Sequence, residues 1–269
     1  MLLGCAAYVY VTLPDVRSLR TSNPVSTAFM DLRAREARAA GREPRRSYRW
    51  VPYRQISPHL ARAVIVAEDA AFWRHDGLDY GELRASIELN LERRELARGA
   101  STITQQLAKN LYLSPSKNPV RKLRELWITR RLEAELTKER ILELYLNVIE
   151  WGDGIYGAEA AARAYFAKPS AALDAREAAL LAGAITNPRG FDPRRPSARL
   201  VARQQLILRR MAPRGAPGAP ETAAGDRLPA RPPAVAMEAP DPADLPPAGP
   251  LPEPAGGSTD EPCGEPPCG

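Results

Sequence analysis

Cysteine is almost missing from this chain. Of three in 269 residues, Cys5 stands alone near the start and Cys263 and Cys268 sit in a proline-rich end. A disulfide framework or a zinc module is thereby excluded for everything in between. Aromatic residues are missing from one region altogether. The last 58 residues, Ala212 to Gly269, have no Phe, Tyr or Trp but hold 16 Pro and 8 Gly. Such a segment has too little apolar surface to offset its ordering entropy, so a disordered tail is predicted over 212–269 and not a second folded domain.

Long apolar runs are scarce too. Met1 to Leu13 (MLLGCAAYVYVTL) carries no charge. As a helix, however, it rises only about 20 Å against the roughly 30 Å of a hydrocarbon core. It also lacks the basic residues that normally precede a signal or anchor. It reads either as a buried first helix or as the outer half of an anchor that starts upstream. Leu2-Leu3-Gly4-Cys5 is similar to a lipoprotein cleavage box, but there the apolar stretch stops at the Cys and here it runs on.

Charge divides where composition does. The tail carries three Arg against nine acidic residues, a net of −6, whereas the other 211 residues hold 35 basic and 23 acidic side chains, a net of +12. A basic body points to an anionic partner: nucleic acid, an anionic membrane surface or a phosphorylated substrate. Lysine is rare within it. There are five Lys against 33 Arg, and Lys109, Lys117, Lys122 and Lys138 lie within thirty residues. A compact ammonium suits phosphate as a point charge, where arginine suits a bidentate fork.

The body reads as all-α. Tyr48 to Met211 shows no sustained period-two alternation and no internal repeat, but several amphipathic stretches have recognisable starts. Ser57-Pro58 opens His59 to Glu68, and Asn118-Pro119 opens a helix to about Leu136. Thr137 caps Lys138 to Asn147, Asp174 and Glu177 form a capping box before Ala175 to Ile185, and Ser197 opens a helix ending near Met211. Gly77 to Ser101 reads as less regular, and Gly152, Gly154 and Gly157 as a turn-rich link.

Three constellations could carry chemistry. Glu68 and Asp69 end an apolar helix beside Phe72 and Trp73. Desolvation there would make a carboxylate a better proton acceptor; the alternative is ion pairing of both acids with Arg74 and His75. His75 by itself reads as structural and not as a metal ligand. On a helix from Thr102, Gln105 and Lys109 are four apart, as are Gln106 and Asn110. These polar rows suit a sugar–phosphate ligand or, alternatively, a solvated face. Arg121, Lys122 and Glu125 share a third face, which a surface ion pair worth about 0.3–0.5 kcal/mol would also explain.

Taken in order, these segments resemble the peptidoglycan glycosyltransferases that polymerise lipid II. Glu68 to Gly77 matches Glu-Asp-x-x-Phe-x-x-His-x-Gly, and Gly99 to Asn110 matches Gly-x-Ser-Thr-Ile-Thr-Gln-Gln-Leu-x-Lys-Asn. Arg121 to Glu125 matches Arg-Lys-x-x-Glu, Ile141 to Asn147 matches Ile-Leu-Glu-x-Tyr-Leu-Asn, and Ala179 to Pro188 matches Ala-x-Leu-Ala-Gly-x-x-x-x-Pro. The twelve-residue second motif is highly specific. The likeness covers roughly Pro14 to Met211, and Asn147 to Gly157 is most similar to the monofunctional branch, which has no transpeptidase domain.

The resemblance implies a lysozyme-like glycosyltransferase domain over 14–211. It also implies a single-pass anchor in the cell inner membrane, with Met1 to Leu13 as its remnant, and a catalytic domain on the periplasmic side. The implied partners are lipid II, the growing glycan strand, the membrane and other cell-wall synthesis and division proteins, with no nucleic acid. By motif position, Glu68 resembles the general base. Lys109, Arg121 and Lys122 match positions that stabilise the leaving pyrophosphate, and Ser101, Thr102, Gln105, Gln106 and Asn110 match positions that hold sugars and phosphates. Glu125 matches the second catalytic carboxylate, with three roles open to it: holding the cations, binding a divalent ion (Mg or Mn), or assisting the leaving group. A lysozyme-like glycan hydrolase, a non-catalytic precursor-binding scaffold and a nucleic-acid binder are the competing readings. The lysine features weigh against the hydrolase and the paired carboxylates against nucleic-acid binding; the scaffold would be favoured if replacing Glu68 left activity unchanged.

Overall fold

The structure, a computed structural model, describes residues 12–93, 101–113 and 119–212. Most of the expected anchor, the tail from 213, Gly99 and Ala100 of the second motif, and Lys117 lie outside the described residues.

The described chain is mostly helical. A segment with one 3-10 turn (Arg17–Arg20) leads to α1 (Ala28–Ala39), which Thr27 caps by accepting from the Met30 N–H at 3.1 Å. A short strand, β1 (Ser47–Tyr48), precedes α2 (Pro58–Glu68), where Pro58 is preset for the first turn and Ser57 Oγ accepts from His59 N–H. Next come α3 (Tyr80–Arg93), α4 (Ile103–Tyr112), α5 (Pro119–Glu135) and α6 (Lys138–Val148). Strands β2 (Glu150–Gly152) and β3 (Ile155–Tyr156) then lead to α7 (Ala158–Phe166), α8 (Ala175–Ala184) and α9 (Ala198–Met211). The expected caps at Ser57, Thr137, Asp174 and Ser197 all form.

One expectation needs correcting. The stretch from Gly77 is not irregular throughout, because Asp79 Oδ1 accepts from Glu82 N–H at 2.9 Å and starts α3. That helix leaves Tyr80, Leu83 and Ile87 exposed and not turned to the core. The all-α body also contains a small sheet, ordered β1-β3-β2, in which β1 runs parallel to β3 and β2 antiparallel to it. Strands of two and three residues are too short to show an alternation.

Two groups of packed helices share the main core. Helices α2, α8 and α9 pack on one another, while α4 packs against α5, α6 and α1. Leu60, Val64, Phe72, Ile103, Leu107, Ile128, Leu132 and Leu144 are fully buried, each contributing about 1.5–3 kcal/mol. Asn147, also fully buried, exchanges two hydrogen bonds with the backbone of Val51, tying the chain before α2 to α6. The N-terminal segment runs along α5. Arg124 and Arg131 donate to the carbonyls of Thr12 and Pro14, Arg20 donates to Glu135 O at 2.9 Å, and Arg140 donates to the carbonyls of Leu19 and Ser22. Leu13, the last residue of the expected anchor, packs into the core. Among the described residues no helix is long and apolar enough to cross a membrane.

Candidate active site

Glu68 is the last residue of α2. The helix stops there because Asp69 adopts φ −162° and ψ 76°, its N–H still closing the final turn on Ile65 O. Glu68 is half-buried, and its Oε2 accepts from Gln106 Nε2 at 2.9 Å. Gln106 lies on α4, where its Oε1 in turn accepts from the Tyr145 hydroxyl of α6 at 2.8 Å. Asn110 Nδ2 donates to the Gln106 carbonyl, one turn back, at 2.8 Å. Three helices thus converge on one carboxylate.

Asp69 takes the pairing that the sequence offered to both acids. Its Oδ1 is 2.9 Å from His75 Nε2, and its Oδ2 accepts from the Ile103 N–H, the first of α4, at 3.0 Å. His75 Nδ1 accepts from Gly77 N–H, so the proton sits on Nε2 and donates to Asp69. Gly77 at φ +85° completes the turn, and its carbonyl accepts from Thr102 Oγ1 at 2.7 Å. Thr102 and Gln105 form a reciprocal capping box. The first motif is therefore fastened to the start of the second by two independent bonds, which sets Glu68 opposite Gln106.

The polar face of α4 is not a solvated one. Thr102, Gln105 and Asn110 are buried, and Ser101, Gln106 and Lys109 are half-buried. Gln105 spends its amide oxygen on the cap, and Lys109 also has a partner.

A second set of charges sits on α5. Arg121 Nη1 donates to Glu125 Oε2 at 2.7 Å and Lys122 Nζ to Glu125 Oε1. This is no surface pair, because Glu125 is only 3% exposed. Taking a carboxylate out of water costs several kcal/mol unless cations and hydrogen bonds compensate it, and here one cation meets each oxygen. A divalent ion fits poorly at this place, where it would face two positive side chains. Among the described residues no group of three or more His, Cys, Asp or Glu is arranged to hold a metal.

The lysine cluster divides. Lys122 belongs to the Glu125 set, whereas Lys138 donates to Glu133 Oε1 at 2.8 Å and lies 4.7 Å above the Phe72 ring. Thr104 Oγ1 donates to the same Glu133 oxygen at 2.5 Å, so Lys138 braces the fold under the first motif. Sequence reasoning attached no site role to Tyr145 or to the Asp69–Ile103 bond. The one available signal was the position of Tyr145 within the fourth motif.

The transglycosylase family model matches residues 35–212. A biosynthetic peptidoglycan transglycosylase of Nitrosomonas eutropha is 50% identical over 192 residues, 71% of this chain and 79% of that protein. Proteins of the same name from Nitrosospira multiformis and Nitrosomonas europaea are 48% and 47% identical, over 71% and 78% of this chain and 83% and 87% of theirs.

Proposed function

Because this chain belongs to the transglycosylase family and is a peptidoglycan glycosyltransferase, we propose that it polymerises lipid II into β-1,4-linked glycan with inversion and release of polyprenyl pyrophosphate. The observation that carries this reading is the pairing of Glu68 with Gln106 on α4, a helix that packs against α5, on which Arg121 and Lys122 pair with the buried Glu125.

The 4-hydroxyl of the acceptor GlcNAc attacks C1 of the donor MurNAc. Glu68 takes the hydroxyl proton as the new C–O bond forms, and the electron pair of the C1–O bond departs on the pyrophosphate. A hydroxyl is a weak nucleophile, so a positioned base is worth about 10²–10⁴-fold. Arg121 and Lys122 offer positive charge to the phosphate oxygens where negative charge develops, with Lys109 on the neighbouring helix as a third cation. Glu125 holds its two cations in place and keeps them from collapsing onto other acids. Ser101, half-buried at the start of α4, is assigned to the sugars and phosphates, while Thr102, Gln105, Gln106 and Asn110 hold the helix start and Glu68 in place for them.

A lipid-linked substrate calls for action at a membrane, on the periplasmic side of the inner membrane. Tyr80, Leu83 and Ile87 on α3, and Val120, Leu123 and Trp127 on α5, form two exposed apolar rows of identical spacing. Exposed apolar side chains with arginines nearby suit the boundary of an anionic bilayer. The single-pass anchor belongs to the same proposal. Trp127→Glu is expected to weaken co-sedimentation with anionic vesicles.

Purified protein with labelled lipid II in detergent, with and without Glu68→Gln, tests the reaction. Polymer made by the native protein and lost in the variant is the expected result. Shortening of preformed glycan by the native protein would assign a hydrolase, and binding without conversion a scaffold.

A further inference from the structure

We propose that Tyr145 is a positioning residue for this reaction, fixing the direction of the Gln106 amide so that Glu68 always meets a hydrogen-bond donor. The inference rests on the polymerase reading given above.

The terminal torsion of glutamine is broad and close to two-fold, so shape alone does not choose between an amide and its flipped form. Partners choose. Tyr145 is fully buried on α6, and its hydroxyl lies 2.8 Å from Gln106 Oε1. In the arrangement found the phenol donates to the amide oxygen, which faces α6, and Nε2 is turned toward Glu68 Oε2, 2.9 Å away. The backbone of Gln106 is held as well, through Asn110 Nδ2 on its carbonyl.

The direction matters during turnover. While Glu68 is a carboxylate it selects the amide NH2 by itself. Once it has taken the acceptor proton it is a carboxylic acid, and an unpinned amide can flip to accept from it. With Tyr145 in place the flip sets Nε2 against the phenol oxygen and so requires the hydroxyl to change from donor to acceptor in the same step. Gln106 then keeps Oε2 occupied, and the proton is received on Oε1, the oxygen left for substrate. Each cycle therefore begins and ends with the same carboxyl geometry.

Tyr145 has no exposed surface with which to touch lipid II, so its removal should act on kcat and leave KM alone. The test compares native protein, Glu68→Gln, Tyr145→Phe, Gln106→Ala and the Tyr145→Phe/Gln106→Ala double variant, each assayed for lipid II polymerisation and melting temperature. Polymerisation by the native protein and its loss in Glu68→Gln report on the reaction itself; failure there overturns the reading beneath this inference. With that control passed, Tyr145→Phe is expected to lower kcat by roughly three- to tenfold, the scale of one hydrogen bond, with KM unchanged within about twofold. In the Gln106→Ala background the same substitution should cost nothing further in kcat. An equal loss in both backgrounds, a loss confined to KM, or an unfolded Tyr145→Phe protein would each overturn the proposal.

Discussion

Asp69 joins the end of α2 to the beginning of α4 by accepting the Ile103 N–H at 3.0 Å while its other oxygen holds His75. Both neighbours are donors, so an acceptor is needed on both sides. Asp69→Asn places an NH2 against one of them. The expected cost is about 1–3 kcal/mol in urea unfolding. Polymerisation should fall further than stability does, because the bond sets the register between Glu68 and Gln106.

Gly77→Ala should be worse tolerated than most glycine replacements. The residue sits at φ +85°, and an added Cβ would lie 2.7 Å from Thr129 Cγ2 and 2.9 Å from Glu133 Cγ. Backbone strain at such a φ costs about 1–3 kcal/mol, and the turn would also pull its carbonyl from Thr102. A lower melting temperature together with lost activity is the expected pair of results.

The two cations of Glu125 should separate by assay. The Arg121 side chain is 19% exposed and that of Lys122 is 52% exposed, so Arg121→Ala should destabilise the fold more than Lys122→Ala. Steady-state rates should not follow that order. Each replacement is expected to lower kcat/KM by about 10²–10³-fold if both cations meet the leaving pyrophosphate.

Glu150 predicts a pH dependence of stability. Burial pushes its carboxyl above the ordinary range, and the nearby Arg33 guanidinium, 3.2 Å away, offsets only part of this. The folded protein thus binds this proton more tightly than the unfolded chain does. Its contribution is full below the ordinary value of 4.5 and is lost as pH rises through the raised one. Glu150→Gln should flatten that decline in melting temperature.

Local features were legible in the sequence. Caps at Ser57, Thr137, Asp174 and Ser197 announced four helices, since a cap and its partner lie within three residues. The helix from Tyr80 escaped notice because Tyr80, Leu83 and Ile87 face outward. At the site, Arg121, Lys122 and Glu125 could be grouped from helical spacing alone. Their burial could not, as it depends on what packs over α5. The Tyr145–Gln106 and Asp69–Ile103 bonds join residues 39 and 34 positions apart, and a single chain carries no local mark of such partners.

The path of the first described residues has a mechanical consequence. Thr12 to Asn23 is stitched along α5 and onto the start of α6 by Arg124, Arg131, Arg20 and Arg140. A load applied at Thr12 is thus spread over one long helix before it reaches any loop. The entering chain is therefore held to the body at several separate points, and loosening it means releasing arginines on both α5 and α6.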